Sequence, residues 1–434
     1  MNIDDILNKI DPTNLTIAFG KITHISAITL TGTGLEVAVG DIVRIESVQK
    51  LYSVLGMVTT IDGAFFTIVP FSFIDGFKIN DKIFLQRDGL TVKCGYGLLG
   101  RVINALGEPI DDKGKIRDIE GYTSINKLSM SPLERGIIDK KFATGVKAID
   151  SMLTCGKGQK VGIFAGSGVG KSTLMGMIVK GCEAQIKVVA LIGERGREIP
   201  EFIHYNLGGN LENTVLVTAT SDESALMRKY GAFTAMSIAE YFRDKGHDVL
   251  LMMDSVTRFA MAQREIGLST GEPPVSRGYP PSVFALLPQL MERAGNNQLG
   301  SITAFFTVLV DGDDLNDPIA DQSRSILDGH IVLTRDLTEQ GFYPPVNILK
   351  SASRVIDKVI TKEQYNDFLK LKRVLSLIKE NEVLVRVGAY KAGMDLELDA
   401  AMSKKEKIRD FLTQDSQEIV PYDDMLQRFK KALE

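Results

Sequence analysis

Residues 160–173, KVGIFAGSGVGKST, constrain this chain more than any other stretch. Val161, Ile163 and Phe164 make a short apolar strand that runs into a turn with glycine at alternate positions, followed by Lys171, Ser172 and a helical pattern. Gly166, Gly168 and Gly170 permit positive φ and bring backbone close to a ligand. Their N–H groups lie at a helix N-terminus, where the macrodipole favours anions. This pattern reads as a phosphate-binding loop. Gly166, Ser167, Gly168, Val169, Gly170 and Thr173 frame the phosphates, Lys171 reaches the outer ones, and the Ser172 hydroxyl takes a place on Mg²⁺. The strict pattern opens on glycine where this chain has Ala165, a residue small enough to keep the turn. A dinucleotide fingerprint fits less well, because its glycine spacing is different and no lysine follows it.

Composition narrows the setting. A chain of 434 residues is too long for one core, so two or three domains are expected. The 51 basic and 55 acidic residues nearly cancel, which leaves no global attraction to nucleic acid or anionic membrane. Cys94, Cys155 and Cys182 are far apart and form no CxxC, and the four histidines are scattered, which argues against a zinc site. The acidic start, MNIDDILNKID, is no secretory signal, and no apolar run reaches the ~18 residues that span a bilayer. A cytoplasmic protein with no membrane span of its own is expected.

Along the chain, residues 1–12 place Ile3, Ile6, Leu7 and Ile10 at helical spacing, a stripe that can pack on its own domain or dock a partner. From 13 to 88, short β segments broken by Gly and Asp predict a small antiparallel barrel. Its charges cancel and its aromatics read as buried among Ile and Val, so an assembly domain fits better than an RNA-binding barrel. Residues 88–135 are loop-rich and link the barrel to the core. Within 89–350, apolar strands alternate with helices, the signature of an α/β domain with a largely parallel sheet. From 351 to 434 the chain is helical and charged, a separate domain.

Nucleotide hydrolysis needs a metal-side acid, a group to orient water and positive charge at the transition state. Asp254 ends the apolar strand Val249–Met253, at a crevice position suited to a Mg²⁺-bound water; a plain helix N-cap is the alternative. Glu194 ends another strand within GERGRE and is assigned to polarise the attacking water; Arg195 follows it as a phosphate contact. Arg354, in KSASRVID, lies just past the core, as a finger for a neighbour's site or as a solvated interdomain arginine. Tyr343, before two prolines in GFYPPV, can stack on a purine or pack in a core.

With these residues in place, the chain resembles the hexameric rotary-ATPase superfamily, and within it the flagellar protein-export ATPases of the type III secretion branch. The resemblance runs through GRVINALGEPID, PLERGIIDKKFATGVKAID, AGSGVGKS, GERGRE, LLMMDSVTRFAMAQREIG, GEPPVSRGYPPSVFALLPQLMERAG, DPIADQSRSILDGHIVL and GAYKAGMDLELD. Residues 271–295 and Ala165 are similar to the secretion branch in particular. The resemblance implies a RecA-like P-loop ATPase core between an N-terminal β-barrel and a C-terminal helical domain. It implies that Lys171 and Ser172 bind phosphate and Mg²⁺, Glu194 is the catalytic carboxylate, Arg195 touches phosphate and Asp254 serves the metal. Arg354 becomes an arginine finger and Tyr343 the adenine-stacking ring.

The implied substrate is ATP with Mg²⁺, and the implied assembly is a homohexamer that completes each site with a neighbour's finger. The implied partners are an export regulator, central-stalk proteins, export-gate membrane proteins and chaperone–cargo complexes. A virulence secretion ATPase shares these motifs. Arg373–Val387 carries mixed charge where ATP synthase catalytic subunits have an acidic signature, which disfavours that alternative. Glu194 argues against a non-catalytic subunit, and the uncharged balance of the barrel argues against an RNA translocase.

Overall fold

The computed structural model describes residues 18–47, 52–310, 314 and 316–434, so the apolar stripe at 1–12 lies outside the described residues. Six antiparallel strands form a closed barrel in the order Gly20–Ile25, Leu30–Thr33, Phe65–Pro70, Ser53–Asp62, Ile42–Glu46 and Lys82–Leu85. Closure comes from the pairing of Gly20 with Ile83 and Lys21 with Lys82. Ile22, Leu30, Val43, Ile45, Val58, Phe66, Ile68 and Ile83 fill the interior. Space there is tight: a Cβ on Gly32 would stand 2.6 Å from both Phe66 and Ile83. The expected burial of barrel aromatics holds for Phe66, Phe71 and Phe77 but not for Phe65 or Phe73, which are 51% and 69% exposed. Phe65 and Phe66 are neighbours on one strand, and the period of two turns one in and the other out.

Residues 88–135 do more than link. Val102–Asn104 adds a parallel edge strand to the central sheet, with Leu216 opposite Val102, and Thr91–Cys94 pairs with Gly121–Ser124. Three residues are too few to show a periodicity, so this strand was not legible from sequence; its neighbour supplies the register. Asp111 braces it by accepting two bonds from Arg101, both at 2.8 Å, and one from the Val102 N–H. The Arg101 guanidinium holds the Asp111 carboxyl well below the usual carboxylate range.

Among the described residues the central sheet has nine strands. Its main path is Ala352–Ser353, Gly329–Val332, Lys160–Ala165, Ser301–Leu309, Asp248–Asp254, Ile186–Ile192, Thr214–Ala219 and Val102–Asn104, with Gly295–Asn296 pairing off the path. Its inner strands are parallel and buried along nearly their whole length, as expected where helices cover both faces. The phosphate loop is followed by the helix Lys171–Gly181. Arg293, fully buried, makes bonds of 2.8 and 2.6 Å to Glu240 and reaches the Ile125 carbonyl at 2.9 Å, fastening the linker to the core.

After the sheet come the long helices Lys362–Glu380, Leu396–Leu412 and Tyr422–Leu433. The first starts on a Thr361–Gln364 capping box. Phe411 and Phe429 stack at 5.5 Å between the last two, and this layer packs on the core helix Lys147–Met152. Among the described residues, no helix is long and apolar enough to cross a membrane.

Candidate active site

The site lies along the carboxyl ends of the parallel strands. Gly168 and Gly170 take left-handed φ values of 75° and 95°, which only glycine adopts without strain. Gly166, expected to do the same, is not left-handed; it follows directly on the last strand residue, Ala165, which keeps its ladder bond from Val310. Ser167, Gly168 and Ser172 are exposed along the crest, while Val169 is buried as the loop's anchor. Thr173 is half-buried on the first helical turn.

Three charges converge beneath the loop. The Lys171 ammonium donates to Asp254 at 2.5 Å and to Glu194 at 3.5 Å, with the three side chains 11%, 3% and 15% exposed. Asp254 ends the strand next to Ile186–Ile192, whose continuation carries Glu194; the loop's own strand lies beyond Ser301–Leu309. Burial disfavours the Lys171 ammonium, yet Asp254 and Glu194 more than offset this and hold its pKa above the ordinary value. Burial pushes the Glu194 carboxyl up to about 7; Lys171 opposes the rise, and the nearby Asp254 and Glu198 carboxylates reinforce it.

The remaining expected residues are placed differently. Arg195 is 70% exposed and pairs at 3.8 Å with Glu198. The Tyr343 hydroxyl donates at 3.3 Å to the Gly170 carbonyl, which puts the ring against the phosphate loop. Arg354 is exposed, and its N–H donates to the Asp328 carbonyl beside Lys160, at the amino end of the loop's strand. From Lys160 to Ala165 that strand spans about 17 Å, so Arg354 starts at the end of the sheet away from its own phosphate loop.

Further residues shape the site. The buried Thr307 hydroxyl lies 2.7 Å from Asp254 and steers its carboxylate from the intervening strand. A polar residue inside the apolar run ITAFFTVL was the available signal. Arg335 donates to the Ser167 carbonyl at 3.2 Å and Thr338 to that of Val169 at 3.4 Å, so both support the loop; nothing in their local sequence marks them. Arg258 packs its stem over Gly193, just before Glu194, and its buried Nε has no partner among the described residues.

The donor set fits magnesium. The Ser172 hydroxyl and the Asp254 carboxylate are hard oxygen donors. Among the described residues no group of three His, Cys, Asp or Glu could hold a metal.

Comparison with known proteins gives the family. Residues 145–353 match the ATP synthase alpha/beta family, nucleotide-binding domain, and residues 360–431 match the T3SS EscN ATPase C-terminal domain. The chain is 56% identical to the flagellum-specific ATP synthase of Helicobacter pylori strain J99 over 96% of each chain. Its fold matches the assembled ATPase EscN of the enteropathogenic E. coli type III secretion system with a TM-score of 0.91 at 44% identity, covering 96% of this chain and 100% of that one. EscN in complex with its central stalk EscO matches with a TM-score of 0.89 at 43% identity over the same shares. Taken with the phosphate loop and the carboxylates beneath it, similarity along nearly the whole length means that the chain belongs to the flagellum-specific ATP synthase family, the flagellar relatives of the type III secretion ATPases.

Proposed function

We infer that this chain is the ATP hydrolase of a flagellar type III export apparatus, cleaving ATP to ADP and phosphate to drive or prime the export of flagellar proteins. The observation that carries the chemistry is the Lys171–Glu194–Asp254 cluster directly under the phosphate loop.

In this reading, the loop N–H groups and Lys171 hold the β- and γ-phosphates, and Lys171 exchanges its present carboxylate partners for phosphate oxygens. Glu194, thereby released from its ion pair, accepts a hydrogen bond from the attacking water and aligns it with the γ-phosphorus. Ser172 and Asp254 would hold magnesium, which supplies neutralisation of charge on the phosphate oxygens. Arg195, exposed and next in sequence to Glu194, would take phosphate charge, and Arg258, whose stem packs over Gly193, adds a second cation close to Glu194. Tyr343 offers its ring to the adenine.

Arg354 serves a neighbouring copy. Its position at the amino end of the sheet supports a role in trans, and a cyclic homohexamer gives every loop a finger. Assembly and stalk binding in the EscN structures support the same arrangement here. An export regulator, gate proteins and chaperone–cargo complexes complete the partner set, with the chain acting in the cytoplasm at the inner membrane.

The test is steady-state phosphate release with and without Mg²⁺. Glu194→Gln is expected to bind ATP normally and lose at least about 10²-fold in kcat. Turnover close to wild type in that variant removes Glu194 from its role. Capture of virulence effectors in place of flagellar rod and hook proteins would move the chain to the injectisome branch.

A further inference from the structure

Tyr343 lies on an irregular stretch between two short segments of regular structure, and its neighbours do not hold its backbone in a ladder. What reaches its carbonyl is the Gln414 N–H, at 2.8 Å, from the turn between the last two helices. Gln414 is 2% exposed, and its side chain is bonded at both ends of the amide. The Oε1 accepts from the Lys147 N–H at 2.7 Å. The Nε2 donates to the carbonyls of Gly145, at 2.8 Å, and Glu418, at 2.9 Å.

The same turn grips the phosphate-loop helix from its far end. Lys180, in the last turn of that helix, donates to the Ser416 carbonyl at 3.3 Å and to the Gln417 Oε1 at 2.8 Å. Val420 donates to Gly145, which lies so close to Gly181 that a Cβ would be 2.9 Å from the Gly181 Cα. The helix Lys171–Gly181 is therefore linked to residues 413–420 twice. One link runs from Gly170 through Tyr343 to Gln414, and the other runs from Lys180 to the turn itself.

We propose that Gln414 is a positioning residue for base recognition. Its amide, locked between Gly145 and Lys147, sets the Gln414 N–H that holds the Tyr343 backbone, and so fixes the ring where a purine stacks. This rests on Tyr343 as the base-stacking ring and adds the residue that orients it. A buried amide with every polar group engaged has one low-energy placement, so its backbone N–H is fixed as well. Truncation frees the turn and lets Tyr343 tilt, while the phosphate contacts of the loop are unchanged.

The experiment compares MgATP with Mg-tripolyphosphate, which has the phosphates but no base, as ligands of wild type, Gln414→Ala, Tyr343→Ala and the double variant. Gln414→Ala is expected to weaken MgATP binding and raise KM about 5- to 10-fold, leaving kcat at saturation and tripolyphosphate affinity within twofold. The double variant is expected to bind no worse than Tyr343→Ala alone, because one residue acts through the other. Gln414→Met, which keeps the volume and removes both polar ends of the amide, is expected to weaken MgATP as alanine does, and serves if Gln414→Ala does not fold. If Tyr343→Ala weakens MgATP while neither Gln414 variant does, Gln414 has no positioning role. Equal losses for MgATP and tripolyphosphate make its role general to the fold and overturn the proposal. If Tyr343→Ala itself leaves MgATP binding intact, the base-stacking reading fails, and the proposal fails with it.

Discussion

Thr307 and Lys171 approach the same oxygen of Asp254, at 2.7 and 2.5 Å, one from the strand beside the loop's own and the other from the start of the helix that follows the loop. The carboxylate is thus aimed by a hydroxyl that stays on it, while its ionic partner can turn to phosphate oxygens. Thr307→Val keeps the shape and removes the hydroxyl. The expected cost is about 1–3 kcal/mol of stability, because a buried carboxylate loses a donor. Urea unfolding measures this, and kcat should fall with it. A variant as stable and active as wild type would mean that Lys171 alone orients Asp254.

The pH profile follows from Glu194. Its carboxyl titrates near 7 in the folded chain against an ordinary 4.5, so it is protonated over much of the mildly acidic range. In the proposed role Glu194 must be ionised to orient water, and kcat/KM is then expected to fall on the acid side with an apparent pKa near 7 that belongs to the three-charge cluster. The stability effect has the opposite slope. A raised folded pKa adds stability below the unfolded value and loses it as pH climbs through the folded one. Glu194→Gln should therefore melt several degrees higher than wild type at pH 8 and show no such gain at pH 4.5. Parallel melting curves at both pH values would reveal the difference.

Mixing inactive variants distinguishes a finger in trans from one in cis. Arg354→Ala retains an intact phosphate loop, and Lys171→Ala retains an intact finger. Each alone is expected to lose at least about 10³-fold in hydrolysis. Co-assembled in equal amounts, about a quarter of interfaces pair an intact loop with an intact finger, so up to that share of wild-type rate should return. A mixture as inactive as its components would place Arg354 outside the shared site.

Gly170 has two reasons to be glycine. Its φ is 95°, and a Cβ would stand 2.2 Å from the Tyr343 hydroxyl. Gly170→Ala is expected to displace Tyr343 and distort the loop, weakening ATP binding by at least about 10-fold, with a stability cost of about 1–3 kcal/mol. Isothermal titration with a non-hydrolysable nucleotide checks the first figure. Gly168→Ala, at an open position with φ of 75°, should suffer only the backbone strain.

Long, strongly patterned segments are legible in the sequence. The apolar strand read at Val161, Ile163 and Phe164 is the buried strand Lys160–Ala165, and the helical character expected after 351 is carried by helices such as Lys362–Glu380 and Tyr422–Leu433. Apolar period and capping chemistry act over neighbouring residues, so the chain itself records them. Val102–Asn104 was missed because an edge strand of three residues takes its register from a partner over a hundred positions away. Arg335 and Thr338 were missed for a similar reason: each supports the phosphate loop from a distant helix, and nothing in its own surroundings says so.

The sequence by itself determined the phosphate loop, the pair of strand-end carboxylates and the order of barrel, core and helices. These depend on residue type at fixed local spacing, where glycine, lysine and serine have few substitutes. Only the tertiary structure decided which of those charges share a site. Parallel pairing brings Glu194 and Asp254 within reach of Lys171 and raises the Glu194 pKa, because burial and neighbouring charge are properties of the packed sheet. It also puts Arg354 at the amino end of the same sheet, away from the loop in its own chain, a separation that spacing along the chain cannot express.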